Sequence, residues 1–106
     1  MKENLLKIIN NYGVLPQLKH FNSEVFELNE AIIKKETEYQ FCETTIKKDR
    51  ENLKHIAEEI SDCFVMLKQF QYYYGITDEE IINNMQFKIK RQLERIENEK
   101  SNNIPT

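Results

Sequence analysis

Two acidic side chains three residues apart on a helix bring their carboxylates to one side, a spacing that can chelate a cation. Four such pairs fall in helical stretches of this chain: Glu24/Glu27, Glu27/Glu30, Glu59/Asp62 and Glu94/Glu97. Its 18 acidic residues in 106 would produce about three by chance, so number alone does not separate a site from a charged surface. Position around the helix does. Glu59 lies roughly 60° and Asp62 roughly 120° from the centre of their helix's apolar stripe, and Glu24 and Glu27 lie at roughly 70° and 130° from theirs. Both pairs lean into the margin of a core, whereas Glu30, Glu94 and Glu97 point away from it.

Burying part of a carboxylate costs several kcal/mol unless a partner compensates it, and no Lys or Arg stands at these margins to serve all four. A metal ion would resolve the conflict. Four carboxylates from two facing helices form a hard, oxygen-only set, which suits Mg²⁺ or Mn²⁺ far better than zinc. The competing expectation is a rim of solvated glutamates.

The last helix offers a complement. Asn84, Lys88, Arg91 and Arg95 recur within a strip roughly 60° wide beside an apolar stripe. A cationic strip near an acidic metal cluster suits a polyphosphate whose charge the metal and the strip share. Salt bridges to the same carboxylates are the alternative use of these residues.

Other residues carry less. His20 and His55 are isolated, and no Glu-x-x-His pair of the di-iron kind follows the acidic motifs. There is no Gly-rich phosphate loop and no local nucleophile signature. Tyr72, Tyr73 and Tyr74 suit packing or an interface better than base stacking. Cys42 and Cys63 make no disulfide framework or metal knuckle, and Cys63 falls on an apolar face as a buried reduced thiol would.

The elements that must position these groups are all helices. Two Gly and two Pro in 106 residues are far too few turn formers for a chain of short strands. Residues 2–12 form a short amphipathic helix closed by Gly13, and a second, with Pro16 in its first turn, runs to about Tyr39 with Leu18, Phe21, Val25, Leu28 and Ile32 inward. Residues 41–48 lose periodicity and read as a connection. A third helix runs from about Asp49 to Tyr74, with Ile56, Ile60, Cys63, Phe64, Leu67 and Phe70 inward. Thr77 and Glu80 then form a capping box that opens a fourth helix running to about Lys100, with Ile81, Met85, Ile89 and Ile96 along one stripe. The expected fold is all-α, of four-helix bundle type with one short and three long helices, in a single domain over residues 1–100 with a disordered polar tail over 101–106. Wide apolar faces on so small a chain favour self-association.

A net charge of −3 with no basic block argues against nucleic-acid binding. The longest apolar run, Cys63 to Leu67, is far short of the roughly 20 residues that span a bilayer, and no secretory signal opens the chain. A cytoplasmic protein with no membrane partner is expected.

Ser23-Glu24-Val25-Phe26-Glu27-Leu28 followed by Glu58-Glu59-Ile60-Ser61-Asp62 resembles the paired Glu-x-x-Glu and Glu-Glu-x-x-Asp motifs of the MazG-like all-α nucleoside triphosphate pyrophosphohydrolases. The likeness extends to the short first helix ending in Tyr12-Gly13, to Gln17 ahead of the first motif, and to Lys88, Arg91 and Arg95 in the last helix. Two departures stand out: Ser23 occupies a position where many members carry a further Glu, and the stretch between the motifs is slightly long. The resemblance implies a homodimer or homotetramer and Mg²⁺-dependent hydrolysis of a nucleotide between its α- and β-phosphates, giving a nucleoside monophosphate and pyrophosphate. It implies Glu24, Glu27, Glu59 and Asp62 as metal ligands, one of them also positioning or deprotonating the attacking water. Lys88, Arg91 and Arg95 would hold the phosphates and Gln17 would contact the base. A phosphoribosyl-ATP pyrophosphatase of the same superfamily would use similar carboxylates, and a helical interaction module would use the charged stripes only for solubility and helix pairing.

Overall fold

A computed structural model of the chain describes residues 1–41 and 46–102, with only the backbone for 39–41. The described residues form four helices: α1 Lys2–Tyr12, α2 Val14–Phe41, α3 Ile46–Tyr73 and α4 Asp78–Asn102. The fold is all-α with one short and three long helices, as expected. Two compact units divide it, Met1–Tyr74 and the segment from Gly75 onward.

In the first unit α1 packs on α3 and α2, and α2 packs along α3. Gly13 alone separates α1 from α2. Its φ of +94° lies in a region that L side chains rarely adopt, and its N–H closes α1 on Ile9 O at 2.8 Å while its own carbonyl accepts from Gln17 N. The second helix therefore starts at Val14, which puts Pro16 in its first turn as expected. Pro16 sits within the first turn, where its missing N–H costs no helical bond.

The long hairpin of α2 and α3 has a seam of coiled-coil spacing. On α2 the positions withdrawn from solvent include 17, 21, 24, 28, 31, 35 and 38, and on α3 they include 49, 52, 56, 59, 63, 66 and 70. Alternating steps of three and four residues keep one face of each helix against its partner over its whole length. This corrects the apolar assignment. Phe21, Val25, Leu28, Ile56, Cys63 and Phe70 do turn inward, but Leu18 and Ile32 on α2 and Ile60, Phe64 and Leu67 on α3 are exposed. Gln17, Ala31, Asn52, Glu59 and Met66 are buried instead.

Cross-seam pairs of polar groups accompany this rotation. Gln17 Nε2 donates to Gln69 Oε1 at 2.8 Å, Asn52 Nδ2 donates to Glu38 Oε2 at 2.6 Å, and Lys35 Nζ lies 2.9 Å from Asp49 Oδ1. Polar pairs at seam positions specify register, because any slip would leave a buried group unsatisfied. Phe21 and Phe70 meet edge to face, with centroids 5.9 Å apart.

Helix α3 starts at Ile46, three residues before the expected Asp49, so residues 46–48 of the expected connection are helical; residues 42–45, including Cys42, lie outside the described residues. The second unit opens with the expected capping box: Glu80 N donates to Thr77 Oγ1 at 3.1 Å, and Thr77 N donates to Glu80 Oε2 at 3.2 Å. Helix α4 continues through Asn102, so Ser101 and Asn102 of the expected tail are helical, while 103–106 lie outside the described residues. No residue of α4 is buried. None of the helices is long and apolar enough to cross a membrane, among the described residues.

Candidate metal centre

The middle of the seam holds the carboxylates. Rotation of α2 and α3 toward their polar edges brings Glu24 and Glu59 into the seam itself, at side-chain exposures of 12% and 11%. Glu27, one turn along α2 from Glu24, is exposed at the rim. Glu24, Glu27 and Glu59 each offer an oxygen within 4.8 Å of the others, close enough to share one cation.

No Lys or Arg is paired with them; His20 and His55, each half-exposed, face one oxygen of Glu24 and of Glu59. Glu24 Oε2 and Glu59 Oε2 are buried without a hydrogen bond; a third such oxygen, Asp49 Oδ1, has Lys35 beside it. Burial pushes the Glu24 carboxyl above the usual carboxylate range, and Glu27 and Asp62 push it further. Burial likewise raises Glu59, again with Glu27 and Asp62 adding to it. The same negative potential reaches Cys63, a buried free thiol, which is raised first by burial and then by Glu24, Asp62 and Glu59. A cation bound to the three oxygens would relieve all of these conflicts at once.

Asp62 is exposed and stands outside the three-carboxylate cluster. It joins Glu24 on the wall of a cavity of about 500 Å³, which Tyr12, Gln17, His20 and Gln69 also line. Gln17 is thus placed beside the carboxylates, in a pocket with aromatic, amide and acidic walls. Asn84, Lys88, Arg91 and Arg95 lie on α4 in the second unit and are all exposed. There Arg91 stacks on Phe87 at 5.8 Å, and Arg95 Nη1 donates to Gln92 Oε1 at 3.4 Å.

Compared with known proteins, the chain stands apart: no family model, no curated protein and no solved structure matches it. Its chemistry is read from its own residues.

Three residues of this region were not singled out by spacing. Gln69 is almost fully buried and holds Gln17 in the cavity wall; nothing marks it in the sequence, because Gln is ordinarily a surface residue. His20 and His55, isolated by motif, each face a centre carboxylate one turn on. His20 Nε2 lies 3.3 Å from Glu24 Oε1, and His55 Nε2 lies 3.9 Å from Glu59 Oε1. The signal for this pair was legible as a repeated His-x-x-x-Glu spacing.

Proposed function

We propose that this protein is a Mg²⁺-dependent nucleotide pyrophosphohydrolase, tolerant of Mn²⁺, that cleaves a ribo- or deoxyribonucleoside triphosphate between its α- and β-phosphates to give the monophosphate and pyrophosphate. The observation that carries the reading is the convergence of Glu24, Glu27 and Glu59 from the two helices whose motifs resemble the MazG-like enzymes. Glu24, Glu27 and Glu59 would hold the cation, which would supply charge neutralisation and Lewis-acid activation for the hydrolysis. Asp62, on the adjoining cavity wall, would be a further ligand, and one of the four carboxylates would accept the proton of the attacking water. No protein nucleophile is required.

In this reading Gln17 contacts the base, and the exposed Asn84, Lys88, Arg91 and Arg95 on α4 offer groups suited to phosphate. The protein works as a homodimer or homotetramer: Leu53, Ile60, Phe64 and Leu67 form an exposed apolar stripe along α3, a surface that isolated monomers seldom leave open. The same stripe is the observation that favours the second reading, a helical interaction module without catalysis.

The test is release of pyrophosphate from a panel of canonical and modified NTPs and dNTPs, with phosphoribosyl-ATP included, with and without Mg²⁺. Metal-dependent turnover by the wild type, lost in Glu59→Gln, is the expected result. Turnover confined to phosphoribosyl-ATP would move the activity to the histidine-synthesis enzyme of the same superfamily. Silence across the panel, together with no metal-induced rise in melting temperature, would leave the interaction module.

A further inference from the structure

The cavity of the first unit has in its wall an amide whose direction is fixed from behind. Gln69 is almost fully buried, its Nε2 donates to Met66 Sδ at 3.6 Å, and its Oε1 accepts from Gln17 Nε2 at 2.8 Å. Met66 and Gln17 are buried as well. A reversed Gln69 would set its oxygen against a sulfur that has no proton to give, and its own N–H groups against those of Gln17. The sulfur therefore orients Gln69, and Gln69 orients Gln17. What is left of Gln17 is its carbonyl oxygen, Oε1, which has no hydrogen bond among the described residues and is not sealed from solvent. Gln17 lines the cavity of about 500 Å³, and that is the space in which the oxygen can find a partner.

We propose that Gln69 is a positioning residue that makes Gln17 an acceptor toward the cavity, so that the cavity selects bases with an exocyclic amino group, cytosine or adenine, over their keto counterparts, uracil and hypoxanthine. The rest of the lining agrees. Ile8, Val65 and Met66 give the cavity apolar walls and Tyr12 an aromatic one, which suit the faces of a planar heterocycle. Glu24 and Asp62 accept hydrogen bonds and, when ionised, cannot donate them. Of the remaining donors, His20 faces Glu24 at 3.3 Å and Tyr12 is exposed. An amino group brings protons to this acceptor-rich edge, whereas a keto oxygen sets a second acceptor against Gln17 Oε1. A site built around a hydrogen-bonding group rejects the analogue that leaves that group unpaired. The inference rests on the reading that this cavity receives the base of a nucleotide, and adds which bases it keeps.

The experiment compares CMP with UMP and AMP with IMP by calorimetric titration in Mg²⁺, beside hydrolysis of the corresponding triphosphates, for the full chain as wild type, Gln69→Met and Gln69→Glu. Monophosphates carry the base and need no turnover, so binding is read whether or not hydrolysis occurs. In the wild type the amino member of a pair is expected to bind roughly 10–100-fold more tightly, the range set by one polar group left unpaired in a buried wall. Gln69→Met fills the same buried position but removes the acceptor that holds Gln17, and the preference is expected to collapse, with the change falling on KM rather than kcat. Gln69→Glu keeps an acceptor for Gln17 Nε2 and is expected to keep the preference, which a merely structural role does not predict. A preference in one pair alone supports the inference and narrows the cavity to pyrimidines or to purines. Equal binding within both pairs by the wild type, binding of none of the four, or a preference that survives in a folded Gln69→Met protein overturns it, as does its loss in a folded Gln69→Glu protein. Hydrolysis that treats amino and keto substrates alike overturns it while sparing the pyrophosphohydrolase. Selective binding in a protein that hydrolyses nothing supports it and removes the reaction instead.

Discussion

One hairpin seam contains two acidic layers with opposite physics. Toward the end of α2, Glu38 accepts from Asn52 at 2.6 Å, has Lys48 Nζ at 3.4 Å, and stands close to the Lys35–Asp49 ion pair. Its carboxyl is held below the usual range, first by the Asn52 hydrogen bond and then by Lys48. Four turns back, Glu24 and Glu59 are similarly withdrawn from water; burial raises both, Glu27 and Asp62 raise them further, and His20 and His55 only partly oppose this. Residue type and burial are alike, so the partners account for the difference. The paired layer is a register device complete within the chain. The other layer keeps a buried, unbonded oxygen on each of Glu24 and Glu59, where a cation could be held.

The largest effect that separates the layers concerns turnover. Glu59→Gln is expected to cut pyrophosphate release by at least the roughly 10²–10³-fold that loss of one electrostatic stabiliser costs, whereas Glu38→Gln leaves kcat near the wild-type value. Equal losses in the two variants would erase the distinction between them.

Metal addition comes next. At 100 times its dissociation constant, a cation bound only to the folded state adds about 2.7 kcal/mol. For a chain of this size that is a rise of roughly 10–20 °C in melting temperature. Glu38→Gln should keep the rise and Glu24→Gln should lose it, as read by thermal unfolding with Mg²⁺ against chelator.

Stability without metal should reverse the ranking. In chelator, Glu24→Gln and Glu59→Gln are expected to melt at or above the wild-type temperature, because each removes a charge that repels its neighbours. Asn52→Ala should melt several degrees lower, because it strips Glu38 of its donor. A metal-free Glu59→Gln that melts well below wild type would mean that the centre is structural.

The smallest effect is the pH profile of the metal-free protein. Raised carboxyls bind protons more tightly folded than unfolded, so Glu24 and Glu59 contribute stability that is fully present below the ordinary value of 4.5 and lost as pH rises through their raised values. Glu38, lowered, contributes stability that is present above 4.5 and lost as pH falls through its lowered value. Melting temperature in chelator should therefore decline as pH climbs above 4.5, and Glu24→Gln should flatten that decline while Glu38→Gln does not.

The sequence made the helices legible, since scarce Gly and Pro, Gly13 and the Thr77/Glu80 box mark boundaries through local chemistry alone. It also made the centre legible in outline, because Glu24 and Glu59 fall at the edge of an apolar stripe. What it misplaced was the rotation of the hairpin. Hydrophobicity centres α3 on Ile60, Phe64 and Leu67, but the helices meet through Gln, Asn and Glu in cross-seam pairs such as Gln17–Gln69 and Asn52–Glu38, and those pairs exist only once two helices meet.

The most direct measurement of the central claim is calorimetric titration of Mn²⁺ into the wild type, Glu59→Gln and Glu38→Gln, each freed of metal beforehand. The account predicts saturable binding in the wild type and in Glu38→Gln, and none in Glu59→Gln. Binding that survives in Glu59→Gln, or that fails in the wild type, would contradict it.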